Sequence, residues 1–418
     1  MKIAILSTED IKPGAFRAAY RLHKSLIEIG LDSRMFVQGK YSDDPSVSGL
    51  QLQYSKGKII NALRPSIDRL PLKFYTKREN KTYSLQWTPD NLYNEILKFA
   101  PDVVSLQWIC KGYLKIETLL KINQLNIPIV WTLRDMWPFT GGCHYTYHCQ
   151  KYINSCGNCP QLNSNSPYDL SNWVWRRKNK VYQNSDITIV ALSNWIGNCA
   201  RASSLFKDKR IEVIPNGINT EIYKPINQEI ARNITNLPIN KKLVLFSAVR
   251  ATGDPRKGFS YLKFALEKMS KMEFQSEIEL VIIGATKPIS PETFGYKTHY
   301  LGNLNDDFSI ALAYNVADVF IAPSIQENLP NTVLEALACG IPCVAFNIGG
   351  MPDLIEHQKN GYLAKPYQVD DLVQGLVWVL ENEERRLKLS NYARNKVETE
   401  FNLMLQAKRY KFLFENLK

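Results

Sequence analysis

Residues 317–340 read ADVFIAPSIQENLPNTVLEALACG, and this stretch decides the fold. Its apolar, β-prone first part predicts a strand, and the part that begins near Pro330 predicts a helix that stops at Gly340. Glu327 then lies in the loop at the carboxyl end of the strand, whereas Glu335 lies inside the helix. Because this order is typical of a parallel α/β sheet, we expect both carboxylates to face the crevice at the end of the strands.

The chemistry of such a crevice favours a ligand that has both an anionic part and hydroxyl groups. A helix N-terminus offers unpaired N–H groups and the positive end of a dipole to an anion, and carboxylates accept hydrogen bonds from hydroxyls. A sugar nucleotide carries both kinds of group. It is therefore a ligand that this crevice could hold.

The rest of the chain alternates strands and helices in two series. Short runs rich in β-branched residues recur with helical spacers between them, which indicates parallel sheets. The first series is residues 2–7, 34–37, 102–108, 127–133, 187–192 and 211–214, and the second is 243–249, 279–283, 298–301, 318–321 and 343–346. Two series in 418 residues predict an α/β protein with two Rossmann-like lobes, whose parallel sheets face an interdomain cleft.

Several segments of the chain resemble family 4 retaining glycosyltransferases. The two glutamates, with seven residues between them, resemble the donor-site motif of that family, since they follow Pro323-Ser324. Residues 243–250 and Lys257-Gly258 resemble the family's strand that ends in an arginine and is followed by a lysine. Residues 214–218 and 343–350 also match, so the resemblance covers nearly the whole chain and implies the GT-B fold.

The resemblance also implies which domain binds which substrate. Residues 1–215 are expected to form the acceptor-side domain, and residues 216–400 the domain that binds the nucleotide-sugar donor. Residues 401–418 are expected to form a helix that crosses back to the first domain. The turn residues Pro215, Asn216 and Gly217 favour a domain junction at this point.

In the donor domain, the resemblance implies that Arg250 and Lys257 hold the donor diphosphate. Retaining transfer without an evident double-displacement nucleophile depends on stabilising the leaving diphosphate, and two cations can do this without a metal. An arginine can fork onto phosphate oxygens, and a lysine adds a point charge. Ordinary surface cations are the alternative interpretation of both residues.

The resemblance also gives roles to the two acids. Glu335 is expected to accept hydrogen bonds from the ribose hydroxyls, and Glu327 to contact the donor sugar or phosphate and to act in catalysis. A helix-surface glutamate and a turn carboxylate are the respective alternatives. The other expected donor contacts are Gly14, Asn303, Asn328, Leu329, Pro330 and Asn331.

Gly14 lies where a predicted strand and its loop lead into a predicted helix, residues 15–29. A glycine there lets the backbone approach a ligand closely, although a turn without a functional role is the alternative. Related enzymes carry a glycine loop at this place that faces the donor phosphates or the acceptor. Pro13 stands where a second glycine is common in the family.

Residues 131–145, WTLRDMWPFTGGCHY, resemble a longer motif of bacterial capsule and exopolysaccharide glycosyltransferases. The motif usually has a histidine at the position of Arg134, and an arginine cannot shuttle protons near neutral pH. The resemblance therefore leaves Asp135 as the catalytic candidate in this domain, in contact with the donor sugar or the acceptor. A structural ion pair at the strand end is the alternative.

Four cysteines, Cys143, Cys149, Cys156 and Cys159, follow in the spacing C-x5-C-x6-C-x2-C. Since thiols stay reduced in a cytoplasm, a four-thiolate structural zinc site is one prediction. The alternative is that the cysteines are small buried apolar residues. The predicted catalysis itself needs no metal or other cofactor.

Positive charge is concentrated in the first half of the chain. Residues 1–210 hold 29 Lys and Arg against 16 Asp and Glu, whereas residues 211–418 hold 23 against 24. Much of the excess lies in residues 55–81, where basic residues interleave with apolar ones, which favours contact with an anionic membrane surface. A solvated segment that packs its apolar side on its own domain is equally consistent. No nucleic-acid module is recognisable, so we do not expect a nucleic-acid partner.

The sequence therefore predicts a retaining, metal-independent glycosyltransferase. The expected donor is a UDP- or GDP-linked sugar, and the expected acceptor is a polysaccharide or lipid-linked oligosaccharide of a capsule, exopolysaccharide or lipopolysaccharide. We expect the chain in the cytoplasm, peripheral at most on the inner face of the membrane, because no apolar run approaches the ~20 residues that cross a bilayer. The alternatives are a sugar-nucleotide epimerase of the same architecture, which the five histidines disfavour, and a non-catalytic sugar-nucleotide-binding protein.

Overall fold

The computed structural model of the chain describes residues 1–49, 55–247, 254–272, 275–285 and 295–417, with the backbone alone at 55–61 and 275. It divides into two compact units. The first consists of Met1–Pro215 and Gln406–Lys418, and the second of Asn216–Leu405. Both units are built on parallel sheets, which confirms the predicted α/β class with two Rossmann-like lobes.

The strands of the first unit are β1 (Lys2–Glu9), β2 (Asp32–Gly39), β3 (Val47–Gly49), β4 (Val103–Leu106), β5 (Ile129–Leu133), β6 (Ile187–Ala191) and β7 (Ile211–Val213). Within the described residues they form one parallel sheet in the order β3-β2-β1-β4-β5-β6-β7. Leu6 in the central strand β1 pairs in register with Phe36 of β2 and with Leu106 of β4. The edge strand β3 was not predicted, because its short sequence has no apolar run.

The helices of the first unit between these strands are α1 (Ala15–Glu28), α2 (Ser55–Asp68), α3 (Leu92–Phe99), α4 (Thr118–Asn123), α5 (Leu170–Gln183) and α6 (Asn194–Ala202). The sheet is buried on both faces, as expected for parallel strands with near-continuous apolar runs. On one face, Trp131, Tyr182 and Phe206 form an aromatic cluster. On the other face, Ile3 and Ile5 belong to a second core.

The strands of the second unit are β8 (Lys242–Ser247), β9 (Ile278–Ile283), β10 (Thr298–Tyr300), β11 (Val319–Ala322), β12 (Cys343–Phe346) and β13 (Gly361–Ala364). In the described part of the chain their parallel order is β10-β9-β8-β11-β12-β13. The helices are α7 (Gln228–Ile234), α8 (Phe259–Met269), α9 (Asp307–Asn315), α10 (Asn331–Ala338), α11 (Met351–Leu354), α12 (Val369–Leu380), α13 (Glu383–Glu400) and α14 (Leu403–Glu415). From Gln406 onward, α14 belongs to the first unit.

The strand order of each sheet reverses beside its first strand, between β1 and β4 and between β8 and β11. In open parallel sheets, ligands bind outside the carboxyl ends of the strands at such a switch point. Each unit therefore has a defined place for a site at one edge of its own sheet. None of the described helices combines the length and the apolar character needed to cross a lipid bilayer.

Helix α10 differs by one residue from the predicted start. Pro330 is the N-cap residue, with φ −71° and ψ 119°, so its extended backbone lies just outside the helix. The helix ends at Ala338, and Gly340 follows with φ +72°. The predicted succession of strand, loop and helix in residues 317–340 is confirmed.

Candidate active site

The segments that follow β8 and β11 meet at the switch point of the second sheet. After β8, the Asp254 carboxylate accepts a hydrogen bond from the Arg256 N–H at 3.1 Å and starts a 3-10 turn, Pro255–Lys257. After β11, the loop that leads to α10 carries Glu327. Because β8 and β11 are parallel neighbours, both segments leave the sheet at the same edge.

Glu327 binds both cations of this turn. Its Oε1 lies 2.5 Å from Lys257 Nζ and 2.7 Å from an Arg256 guanidinium nitrogen. Glu327 is only 5% exposed, and burial by itself raises the pKa of its carboxyl group. Arg256 and Lys257 outweigh this effect and lower the pKa to about 2. The carboxylate is therefore ionised at neutral pH and holds two cations at the sheet edge.

Two glycines allow the loops at this edge to approach one another. At Gly258, with φ +71°, an added Cβ would lie 1.8 Å from the Pro323 carbonyl oxygen. At Gly349, with φ +53°, it would lie 2.0 Å from the Glu327 carbonyl oxygen, which also accepts the Gly350 N–H at 3.1 Å. A side chain at either glycine would displace the loop after β11 and move Glu327 with it.

Glu335 lies in α10 with its side chain largely buried. The Tyr314 hydroxyl donates to Glu335 Oε2 at 3.2 Å. At the start of the helix, Asn216 Nδ2 donates to Asn331 Oδ1 at 3.1 Å. The N-cap residue Pro330 makes no side-chain capping hydrogen bond, and the buried residues Asn328 and Leu329 lead into the helix.

The other predicted donor residues of the second unit are Asn303 and Arg250. Asn303 follows β10 and is exposed. Gly302 before it has φ +70°, with nothing within 4 Å of an added Cβ. Arg250 lies outside the described residues, so the structure does not place it beside Lys257.

In the first unit, Gly14 is the N-cap residue of α1 at the carboxyl end of β1, with φ 89° and ψ −128°. Residues with a side chain rarely adopt such a backbone, whereas glycine does so readily. Nothing lies within 4 Å of an added Cβ, so it is the backbone conformation that requires glycine here. The open space beside Gly14 leaves room for the approach that the sequence predicted.

Asp135 makes several contacts within its own unit. Its Oδ2 accepts the Trp108 Nε1–H at 2.7 Å and lies 2.6 Å from His144 Nδ1, while Oδ1 accepts the Trp137 N–H at 2.9 Å. His144 Nε2 lies 2.9 Å from Ser84 Oγ. Burial opposes ionisation of Asp135, but His144 and the N–H donors keep its pKa below the ordinary value. Asp135 is thus held by contacts within its own unit, with His144 as a hydrogen-bonding partner, as the alternative of a structural role expects. Its catalytic role stays a prediction.

Arg134, directly after β5, is buried and belongs to a network of polar side chains. Two of its guanidinium nitrogens donate to Gln107 Oε1 at 3.1 and 2.7 Å. Gln107 Nε2 donates to Thr132 Oγ1 at 3.2 Å, and that hydroxyl lies 2.9 Å from the Tyr410 hydroxyl. Burial lowers the pKa of Arg134 to about 10, which still leaves it a cation at neutral pH. Through Gln107 and Thr132, this network connects the end of β4 and strand β5 to Tyr410 in α14.

Sequence reasoning missed Arg256, which shares Glu327 with Lys257. A signal for it exists, because Asp254-Pro255 initiates a turn and the two residues after that pair are both basic. The His144 contact of Asp135 was also missed. It depends on how residues 137–144 fold back, which the spacing alone does not show.

The four cysteines Cys143, Cys149, Cys156 and Cys159 all line one cavity of about 20 Å³ in the first unit. All four are free thiols. In the described part of the chain, no three His, Cys, Asp or Glu side chains are already arranged to hold a metal ion. The zinc site therefore stays a prediction.

Solved structures identify the class of fold. Sucrose-phosphate synthase from Thermosynechococcus elongatus aligns with a TM-score of 0.69 and 18% identity, over 100% of this chain and 98% of the synthase. Anabaena Alr3699/HepE, solved in complex with UDP-glucose, aligns with a TM-score of 0.65 and 15% identity over 100% of both chains. Identities this low show the fold alone, which is the two-domain GT-B fold of glycosyltransferases.

Comparison with models of sequence families identifies the family as well as the fold. The model of Glycosyltransferase Family 4 matches residues 14–222, and the model of Glycosyl transferases group 1 matches residues 227–396. The chain belongs to Glycosyltransferase Family 4.

Two curated relatives are similar over part of their length. Sulfoquinovosyl transferase SQD2 of Arabidopsis thaliana is 27% identical over 338 residues, which is 78% of this chain and 58% of the plant protein. The UDP-Gal:alpha-D-GlcNAc-diphosphoundecaprenol alpha-1,3-galactosyltransferase of Escherichia coli is 28% identical over 215 residues, 49% of this chain and 54% of that enzyme. The chain thus spans little more than half the length of these relatives.

Proposed function

We propose that the protein is a retaining, metal-independent glycosyltransferase that uses a nucleoside-diphosphate sugar. The observation that carries the proposal is the cluster of the buried Glu327 with the partly exposed Arg256 and Lys257 at the switch point of the second sheet. Two cations held by Glu327, in the loop that leads to the N-terminus of α10, form a site for a diphosphate. Glu335 in the same helix supplies an acceptor for ribose hydroxyls, as the family resemblance implies.

The cations stabilise the charge that develops on the diphosphate as its bond to the sugar breaks. In the unliganded protein, Glu327 keeps them in place and compensates their charge. A phosphate group offers more oxygens and more charge than one carboxylate, so the donor takes over part of these contacts. The released Glu327 oxygen then faces the sugar. Arg250 is expected to add a further cation to the same diphosphate.

The names of similar proteins support a nucleoside-diphosphate sugar as the donor. The E. coli relative is described as using UDP-Gal, and the Anabaena structures hold UDP, with glucose in some of them. A thermal-shift comparison of UDP with GDP selects the base, because a ligand that binds only the folded state stabilises it by RT ln(1 + [L]/Kd). A shift with neither nucleotide would contradict a nucleoside-diphosphate donor.

The reaction is tested with a panel of UDP- and GDP-sugars and a lipid-linked or glycan acceptor, with NMR of the product. A new glycosidic bond with the anomeric configuration of the donor supports the proposal, whereas an inverted bond refutes retention. An epimerised sugar nucleotide identifies the epimerase instead. Binding without turnover on any acceptor identifies the binding protein. Activity that persists in excess chelator supports metal independence.

For the acceptor, we propose a polysaccharide or lipid-linked oligosaccharide met at the inner face of the cell membrane. The support is the basic-apolar surface, which we define as Leu63, Arg69, Leu70, Lys73 and Phe74. All five are exposed, Phe74 by 88%. Beside them is a cavity of about 370 Å³, whose lining is Ser66, Arg69, Leu72, Lys73, Tyr75, Thr76, Arg78 and Asn80.

Part of the same segment packs on its own unit, as the alternative interpretation predicted. Arg64 is buried and donates to the Gly112 carbonyl at 2.8 Å, and Leu72 is buried as well. Vesicle sedimentation with anionic and neutral lipids tests the membrane contact. We expect binding to anionic vesicles that Phe74→Ser and Lys73→Glu weaken. The control Tyr168→Ser, also exposed and aromatic, should bind as the unsubstituted protein does; equal binding by all variants would exclude this surface.

A further inference from the structure

The segment between β5 and α5 contains a cluster of cysteines that the proposed function does not use. Within residues 134–169, all of them described, regular structure is limited to three short 3-10 turns: Trp137–Phe139, Lys151–Ile153 and Pro160–Leu162. Connections this long without strands or long helices are uncommon in compact domains. A structural metal ion is one way in which such a segment gains order.

The cysteines of the segment converge on one place. Cys143, Cys149, Cys156 and Cys159 line the same cavity of about 20 Å³. Burial raises the pKa of the Cys143 thiol, and negative charge on Cys149, Cys156 or Cys159 would raise it further. Three of the four are buried, and Cys149 is half-buried. His144 is not available to the cluster, because it is held between Asp135 and Ser84.

Backbone donors surround the sulfur atoms. The Gly141 N–H donates to Cys156 Sγ at 3.1 Å, and the N–H groups of Leu162 and Gln161 act on the Cys159 sulfur. Burial raises the pKa of the Cys156 thiol to about 12 and also raises that of Cys159, and these hydrogen bonds offset only part of the effect. Both thiols are therefore neutral until a metal ion replaces their protons. The turn between Cys156 and Cys159 contains two residues with positive φ, and the C-x2-C spacing is one that structural zinc sites use.

Two lysines supply the positive charge that a thiolate centre needs. Lys151 Nζ donates to the carbonyls of Gly157 and Asn158 at 3.0 and 2.6 Å, which closes the C-x2-C turn. Lys178 is fully buried and donates to the Thr140 carbonyl at 3.0 Å, and Cys156 is among the groups whose charge acts on it. A buried ammonium group is costly unless negative charge lies nearby. Burial lowers the pKa of Lys178 to about 7, and negative charge on the nearby cysteines raises it. Four thiolates around one divalent cation carry a net charge of −2, which would favour the ammonium form of Lys178 and which Lys151 and Lys178 would then balance.

We propose that Cys143, Cys149, Cys156 and Cys159 bind one structural zinc ion that orders residues 134–169. The four side chains are not yet arranged around a common point. Without a metal ion the thiols are neutral and do not attract one another, so no force brings the four sulfur atoms together. When zinc binds, each thiol loses its proton as its bond to the metal forms. This inference is independent of the proposed transferase activity, since no step of the sugar transfer uses the ion.

The first test is metal analysis of the full chain purified without chelators. We expect about one zinc per chain, as in four-cysteine structural sites. The double variant C156S/C159S should lose it, whereas Cys343→Ser should retain it, because that buried cysteine lies in the second unit. Protein without stoichiometric metal, or with disulfide bonds between these cysteines, would overturn the proposal.

A second test does not depend on the folding of a cysteine variant. The unsubstituted protein is stripped with a chelator and titrated with Co²⁺ and then Zn²⁺. We expect the absorption bands of tetrahedral thiolate-bound cobalt, their loss on addition of zinc, and a lower thermal midpoint for the stripped protein. Lys178→Met should weaken zinc binding about 10–100-fold in competition with a chromophoric chelator. Stripped protein with an unchanged midpoint and no cobalt bands refutes the site.

Discussion

Lys257 is the residue through which the candidate active site is most directly tested. It shares the Glu327 carboxylate with Arg256, but its side chain is more exposed, 25% against 14%. If it meets the leaving diphosphate, Lys257→Met should lower kcat/KM for the nucleotide sugar by roughly 10²–10³. The measurement is steady-state kinetics with donor varied at fixed acceptor.

The control for this variant is Lys268→Met in α8. Lys268 is half exposed and pairs with Asp370 on the surface, so the same substitution removes a cation outside the site. Surface ion pairs contribute little, and we expect its kcat/KM to stay within about twofold of that of the unsubstituted protein. An equal loss of kcat/KM in both variants would mean that Lys257 matters only through the net charge or the folding of the protein, and not through contact with the diphosphate.

His23 couples the stability of the first unit to pH. It is fully buried in α1, with Nδ1 2.8 Å from Ser33 Oγ and Nε2 2.9 Å from Ser46 Oγ. Burial lowers the pKa of its ring from 6.5 to about 4, although Asp44 acts in the opposite direction. Because the unfolded chain takes up the proton first, stability is lost as the pH falls from 6.5 to about 4. The loss is up to roughly 3 kcal/mol.

Urea unfolding at several pH values between about 4 and 7.5 measures this loss. We expect His23→Gln to reduce the change in unfolding free energy across that interval. His148→Gln should leave it unaltered, because His148 is exposed. A steep pH dependence that survives in His23→Gln would assign the effect to other groups.

Among the secondary-structure elements, the start of α8 determines where the cations lie. Gly258 has φ +71° and lies so close to Pro323 that an added Cβ would overlap its carbonyl oxygen. Gly302 has nearly the same φ, +70°, but open space around it. Gly302→Ala should therefore cost only the backbone strain of about 1–2 kcal/mol, whereas Gly258→Ala should cost at least 1 kcal/mol more through the clash.

Denaturant unfolding of both glycine variants gives this difference, and donor titration shows its effect on the site. Gly258→Ala should also weaken binding of the nucleoside diphosphate, because it displaces the loop that carries Glu327. Similar losses of stability in both variants would mean that the loop after β11 moves aside at little cost. The close approach of Gly258 to Pro323 would then have no role in positioning Glu327.

Secondary-structure elements could be predicted where the residues that specify them are adjacent in the sequence, and contacts between distant segments could not. The strand, loop and helix of residues 317–340 could be read from one stretch, because a buried apolar run, Pro330 and Gly340 lie in order along it. The contact of Glu327 with Lys257 joins residues that are 70 positions apart and was not predicted. Only the family resemblance assigned both residues to the donor site. Edge strands β3 and β13 were missed, since each is short and has no long apolar run.

At the scale of the whole chain, the two units share one type of architecture, a parallel sheet with helices between its strands. Both have a parallel sheet whose order reverses beside its first strand. The parallel sheets could be predicted, because strands buried on both faces are apolar throughout; the strand order was not predicted. The assignment of α14 to both units could not be derived from its own sequence. Its apolar residues show helical spacing, but which core they enter depends on the packing of distant strands.

The final prediction concerns the part of α14 that belongs to the first unit. Tyr410 and Phe414 are fully buried with Ile3 and Ile5, and the Tyr410 hydroxyl lies 2.9 Å from Thr132 Oγ1. Tyr410→Ala should lower the unfolding free energy of this unit by about 3–5 kcal/mol, as large-to-small core substitutions do. Phe412→Ala, in the same helix but 68% exposed, should change it by less than about 0.5 kcal/mol.

Hydrogen exchange measured by mass spectrometry resolves where the stability is lost. In Tyr410→Ala we expect faster exchange in strands β1, β4 and β5 of the first unit, because their core loses an aromatic side chain. Exchange in the second unit, Asn216–Leu405, should stay as it is if each unit unfolds by itself. Faster exchange throughout both units would contradict this, since it would show that the sequence builds two cores whose opening is a single cooperative event.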